Sequence, residues 1–389
     1  MTTVAPAPPE SEDLVETERV VTPLELFFDL VFVYAITQVT TLWAATPTWA
    51  GLGRGMLVLA ALWWTWVAYS WLTTTVDAEA GATRAAMLAA MAAMLVASLA
   101  VPGAFGRDAL AFGLAYTAVR LLHILVYALA TDDVDVRAAV RRLAPTVTLA
   151  CGLIVAAAAL HGGARVLLWC AALAIDYGGV WVRGVSGWTL SPAHFAERHG
   201  DIVIIALGES IAAVGVGATG QRVDVSLAIA ATLGLAIAAA LWWAYFDVVA
   251  RVAARRLRRL RGEARIRMAR DSYTFLHLPL VTGIVLIALG VKKTLAHEHT
   301  ALETVPAVAL CGGAALYLCA HVAFRARNLG TLNRQRLAAA LACLALIPVA
   351  TAVQAVVALA LVAAVLTALI AYEALRFREA RARMRSAPR

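Results

Sequence analysis

Charge is what this sequence has least of. Asp, Glu, Lys and Arg make up 15% of the 389 residues while hydrophobic residues make up 62%, against roughly 25% and 45–50% in soluble domains. A soluble globular class is excluded, and the chain reads as an integral membrane protein. Cysteine is sparse and unpatterned: Cys151, Cys170, Cys311, Cys319 and Cys343 lie inside apolar runs with no C-x-x-C spacing, which argues against a disulfide framework or a zinc site. Also absent are a G-x-S-x-G elbow, H-E-x-x-H, a P-loop and an acid-rich D-x-x-x-D cluster, so the local signatures of hydrolases, metalloproteases and nucleotide-binding enzymes are missing. No enzymatic activity, cofactor or metal is expected. The first 20 residues lack an early basic cluster and carry Glu10, Glu12, Asp13, Glu16 and Glu18 instead, the opposite of a secretory signal. Residues 1–20 read as a disordered acidic cytoplasmic tail.

What is present is a succession of apolar runs long enough to cross a bilayer, at about 20 residues each. They fall near 24–44, 50–74, 84–103, 108–130, 143–161, 164–183, 200–219, 225–250, 272–292, 303–325, 335–351 and 354–375. The expected fold is all-α and polytopic, with about twelve transmembrane helices. The last two share one apolar run, 336–374, which at 1.5 Å per residue is far longer than a 30 Å core and should turn back near Thr351–Gln354. With the N-terminus inside, 26 of the 33 Lys and Arg fall in cytoplasmic segments and 6 in outer ones, Arg120 lying within a span. Both termini are therefore expected in the cytoplasm of a cell inner membrane, with residues 376–389 as a basic cytoplasmic tail. The basic surplus is a topology signal, not a nucleic-acid footprint. The run Arg251–Arg270 could additionally contact anionic lipid.

Against this background the acids stand out. In Thr22-Pro23-Leu24-Glu25-Leu26-Phe27-Phe28-Asp29, Glu25 and Asp29 are four residues apart and share one helix face. Thr22, Pro23 and Glu25 form a capping box that accounts for much of Glu25. Asp29 has no cap to make; it is expected to line a pathway, or else to pair with Arg120. Glu209 is the deepest acid, about eight residues into the span if that span begins near 200. Gly208, Gly215, Gly217 and Gly220 around it would let a neighbouring helix approach. Ser191-Pro192 starts a helix bearing His194, Glu197 and His199, which are expected on a solvated interfacial face, since their spacing does not converge on a metal. His123 and His277 read as core histidines, and the Trp63-Trp64-Trp66 and Trp242-Trp243 clusters as packing or interface belts. Asp176 and Asp247 are expected near the inner ends of spans, paired with nearby arginines.

Several of these features recur in order. Glu25-x-x-x-Asp29 matches Glu197-x-x-x-Asp201, Leu62-Trp63-Trp64 matches Leu241-Trp242-Trp243, Tyr116-x-x-x-Arg120 matches Tyr317-x-x-x-His321, and Arg142-Leu143-Ala144 matches Arg336-Leu337-Ala338. A parallel 6+6 repeat is expected, with halves 21–183 and 184–375 sharing one orientation and an interface suited to a pathway.

The strings 22–33, His-Phe-Ala-Glu-Arg-His-Gly (194–200), Ile-Ile-Ala-Leu-Gly-Glu-Ser-Ile (204–211) and Leu-Trp-Trp-Ala-Tyr-Phe-Asp (241–247) resemble the low temperature requirement protein A family. The resemblance covers about residues 20–375. It implies a bacterial multi-pass membrane protein named for growth in the cold and by itself assigns no reaction. The chain departs from the family at Asp201, where an apolar residue is usual. Together these features favour a transporter-like protein in which Glu25, Asp29, Glu209 and Arg120 line a path for a small molecule or ion, with proton or cation coupling. Alternatives are a membrane-embedded lipid-handling enzyme using His194, Glu197 and His199, or a membrane-stress scaffold.

Overall fold

The structure, a computed structural model, describes residues 19–378. The tails expected at 1–20 and 376–389 lie almost wholly outside the described residues. Helices α1 to α8 span Pro23–Ala45, Trp49–Thr73, Gly81–Ala100, Ala109–Ala130, Val134–Ala157, Gly162–Arg183, Pro192–Gly217 and Val225–Phe246. A short basic helix α9 covers Val249–Arg259. Then come α10 (Gly262–Ala296), α11 (Thr304–Leu329), α12 (Arg334–Ala345, with a further turn Ile347–Ala350) and α13 (Ala355–Arg376).

Among the described residues, eleven helices are long and apolar enough to cross a membrane. The expected twelfth, 335–351, is the broken pair in α12. The chain turns at Thr351–Gln354, as the length of the apolar run requires. Two boundaries differ from expectation. Helix α5 begins at Val134 and carries Pro145 inside it; α7, by contrast, begins at Pro192 where Ser191-Pro192 is expected to start it, two turns before its apolar run. Within 251–270, the expected basic loop is instead α9 plus the first turns of α10. The apolar side of α9, Ala253 and Leu257, packs on Phe195, Ile266 and Tyr273, while most of its arginines face out, so amphipathicity overrides the polar composition.

Many apolar side chains face outward, and the acids of α1 face inward. On α1, Glu25 and Asp29 are 1% exposed, whereas Phe27 and Leu30 are 52% and 60% exposed. Apolar residues face outward where lipid is no worse a neighbour than protein, and the polar groups turn inward where they find partners.

Neighbour order in the first six helices recurs later. Helix α1 packs on α2 and α3, α3 on α4, α4 on α5, α5 on α6 and α6 on α2; α7 packs on α8 and α10, α10 on α11, α11 on α12, α12 on α13 and α13 on α8. Contact between the two sets runs mainly through α1 with α7 and α10, with lesser contact of α2 with the same two helices. Each set also contains a buried arginine with the same kind of partners. Arg120 of α4 bonds both carboxylate oxygens of Asp176 on α6 at 3.0 and 2.8 Å and the Trp64 carbonyl of α2. Arg336 of α12 bonds Glu373 of α13 at 2.9 and 2.8 Å and the Ala244 carbonyl of α8.

Helices α10 and α11 touch at their backbones. A Cβ on Gly283 would lie 2.7 Å from the Gly313 carbonyl oxygen, and one on Gly313 would lie 2.8 Å from that of Gly283. Gly283→Ala and Gly313→Ala are each expected to lower stability by about 1–3 kcal/mol through overpacking, read as a fall in the unfolding midpoint in detergent. Gly208→Ala, which meets nothing within 4 Å, serves as the silent control. The glycines expected to admit a neighbour beside Glu209 do so only at Gly217, which abuts the Lys292 carbonyl; Gly208 and Gly215 face open space.

Candidate functional site

Two buried polar clusters join α1 to α7, one at the N-terminal ends of these helices and one near their C-terminal ends. The first is built on the capping box. The Thr22 hydroxyl accepts from the Glu25 amide, and the Glu25 carboxylate accepts from the Thr22 amide at 2.9 Å. This satisfies two of the amides a helix start leaves open, and it fixes the Glu25 carboxylate facing α7. There His194 Nε2 lies 2.9 Å from Glu25 Oε1. Because an ionised carboxylate only accepts, Nε2 carries the hydrogen.

One turn further along both helices, Arg198 bonds Asp29 as a fork. Nη1 donates to Oδ2 at 2.7 Å and Nη2 to Oδ1 at 2.9 Å, and Nη1 also donates to the Glu25 carbonyl at 3.1 Å. Trp66 Nε1 of α2 completes the shell, donating to Asp29 Oδ1 at 2.9 Å. Arg198 is fully buried. Planar guanidinium and planar carboxylate match in two parallel bonds, the arrangement that best offsets the cost of burying both charges.

Several expectations change here. Asp29 does not pair with Arg120; it pairs with Arg198, while Arg120 pairs with Asp176 within the first set of helices. Asp176 itself is 1% exposed, so it does not reach for water at a span end. His194 and His199 do not lie on a solvated face: both are buried, His199 inside a ring of Trp66, Phe195, Tyr273 and His277. Only Glu197 is exposed. The match of Glu25 to Glu197 therefore does not bring two acids together, and the cluster joins Glu25 and Asp29 to His194 and Arg198. Arg198 was missing from the expected site. Its signal was present: Ser191-Pro192 starts the helix, so Arg198 is six residues inside it and on the face of His194, not in a loop.

His277 behaves as the expected core histidine, with Tyr245 at one ring nitrogen and the Ser272 carbonyl at the other. That carbonyl and the Thr274 carbonyl, which accepts from Trp63 at 2.9 Å, belong to a wide turn of α10 at Ala269–Phe275, where π-type spacing frees backbone acceptors for side chains. Trp63, Trp64 and Trp66 are buried, and Trp242 and Trp243 are 46% and 38% exposed.

The second cluster centres on Glu209, 3% exposed. It lies 17 residues from Pro192 and 8 from Gly217, roughly 25 Å and 12 Å along the helix. It is about twice as far from the helix start as a span beginning near 200 implies, because the polar turns from Pro192 belong to the same helix. Its partners are hydroxyls. Thr37 donates to Oε2 at 2.5 Å and Thr40 to Oε1 at 2.6 Å. Each hydroxyl also has a second acceptor on its own helix, the Val33 carbonyl at 3.1 Å for Thr37 and the Thr37 carbonyl at 2.9 Å for Thr40.

Apolar surfaces turned outward, charges paired inside and eleven membrane-length helices define a polytopic helical membrane protein. The chain belongs to the bacterial low temperature requirement A protein family, whose sequence profile matches residues 20–371. It is 29% identical over 306 residues to the uncharacterized protein RA0937 of Rhizobium meliloti (strain 1021), covering 76% of this chain and 74% of the relative. No solved structure matches the chain.

Proposed function

We propose that this protein is transporter-like, with Glu209 as its proton-coupling group at the α1/α7 junction. The observation that carries the reading is the pair of threonines around Glu209. An ionised Glu209 accepts from both hydroxyls. When it takes up a proton, the hydroxyls can turn to the Val33 and Thr37 carbonyls already within reach, and one of them accepts the new O–H. Both charge states thus keep their hydrogen bonds, a property that a structural carboxylate does not need. Asp29 and Arg120, each committed to an ion pair, drop from the expected path to a positioning role.

The recurring neighbour order and the two arginine-centred ties support reading the helices as two parallel six-helix halves, with α9 added to the second. The excess of Lys and Arg on one side supports both termini in the cytoplasm of a cell inner membrane. On this reading the chain catalyses no reaction.

The test uses full-length protein in vesicles enclosing a pH-sensitive dye, with an imposed membrane potential. Wild-type protein is expected to move protons, and Glu209→Gln to cut the flux by about two orders of magnitude, since an amide cannot carry the proton. Equal flux from the two proteins, or none from wild type, defeats the reading and leaves a membrane scaffold in its place.

A further inference from the structure

We propose that the cavity enclosed by α9, α11, α12 and α13 binds an organic phosphate. The cavity is about 380 Å³, within the size range of small-molecule sites. On its floor lie the Arg336–Glu373 pair and His321. His321 is 2% exposed, and neither of its ring nitrogens has a hydrogen-bond partner. Asn328, also buried, spends its side-chain oxygen on the Ser272 hydroxyl at 2.6 Å and leaves its amide nitrogen unused. Buried polar groups are ordinarily bonded, so an N–H of His321 and the amide of Asn328 are left without acceptors beside this cavity.

Charge and shape narrow the class. Arg256 of α9 and Arg325 of α11 stand exposed among the residues lining the cavity. Glu373, the acid of the lining, is already bound by Arg336, so the site carries unneutralised positive charge. Val249, Val252, Phe324 and Phe377 form apolar walls. Guanidinium groups match phosphate oxygens in paired bonds, and the apolar walls suit the carbon skeleton that an inorganic anion lacks.

Position within the fold gives an independent comparison. A cavity bounded by α2, α4, α5 and α6, with the start of α10 closing it, occupies the corresponding place among the first six helices. It holds only about 80 Å³ and is crowded by Trp64, Trp71, Tyr127 and Trp188. Each cavity has a buried arginine in its lining, Arg120 in the first and Arg336 in the second, but only the second is also lined by that arginine's acid partner. The second is the roomier of the two.

The phosphate could belong to a lipid headgroup or to a soluble ester, and the experiment separates the two. Delipidated full-length protein in neutral detergent is titrated calorimetrically with dihexanoyl phosphatidylglycerol, with glycerol 3-phosphate and with dihexanoylglycerol, which has the chains but no phosphate. The first is expected to bind saturably and the last not at all. Glycerol 3-phosphate binding as tightly as the lipid identifies a soluble ester; lipid binding alone identifies a headgroup. The double variant Arg256→Gln/Arg325→Gln, altered only at exposed positions, is expected to weaken binding about tenfold or more through lost charge-assisted bonds. His321→Phe, which fills the floor, is expected to weaken it as well. Absence of binding to wild type, equal binding of dihexanoylglycerol, or unchanged affinity in the double variant overturns the proposal. None of these readouts requires proton flux, so the outcome is independent of Glu209.

Discussion

Arg198→Met is expected to lower the stability of the folded protein by about 3–5 kcal/mol, the typical cost of stranding a buried charge. The guanidinium supplies two bonds to Asp29 and one to the Glu25 carbonyl, and every group involved is out of reach of solvent. Without it, Asp29 keeps the Trp66 N–H alone, and the carboxylate must be either desolvated or protonated. Removing both charges should cost far less. Arg198→Met/Asp29→Leu replaces the pair by apolar groups of similar size, an exchange that is often neutral, and should recover most of the loss. The measurement is the unfolding midpoint of purified protein in detergent. A single variant that unfolds with wild type would show that the cluster does not hold α1 against α7.

A second pair of substitutions should separate two ion pairs that look alike on paper. Arg120→Met is expected to cost about 3–5 kcal/mol, because its side chain and that of Asp176 are 2% and 1% exposed and Asp176 is not among the residues lining the small cavity beside Arg120, so the stranded carboxylate stays dry. Arg336→Met should cost about 1–3 kcal/mol, nearer the penalty for an ordinary unsatisfied group. Its partner Glu373 lines a cavity roomy enough for several waters, and Asn333 donates to it at 3.2 Å. Equal losses, or a larger one at Arg336, would mean that hydration through the cavity does not reach Glu373. The unfolding midpoints of the two variants, measured side by side, decide this.

What could be read from the sequence was what local chemistry determines. The capping box at Thr22, the apolar spans, the turn at Thr351–Gln354 and the burial of acids all follow from short-range pattern and from the cost of charge in lipid. Pairing was not legible. Arg198 and Asp29 are 169 residues apart, and counting arginines toward topology assigned Arg198 to a loop when the N-cap before it already marked a helix. Glu209 illustrates the same weakness in depth: two polar turns at the start of α7 carry no hydropathy signal, so counting from the apolar run alone puts the carboxylate about eight residues from the start of its helix instead of 17. The wide turn in α10 had no sequence signature either, since it is stabilised by Trp63 reaching across from α2.

The Gly283–Gly313 contact constrains how this molecule can move. Each helix lodges its carbonyl oxygen where the other has no side chain, so neither can rotate about its axis or slip lengthwise without a backbone collision. Helices α10 and α11 are thus interlocked and must travel as one strut. Because α10 also packs on α7 and α1, any rocking of α1 against α7 has this strut as its fixed post.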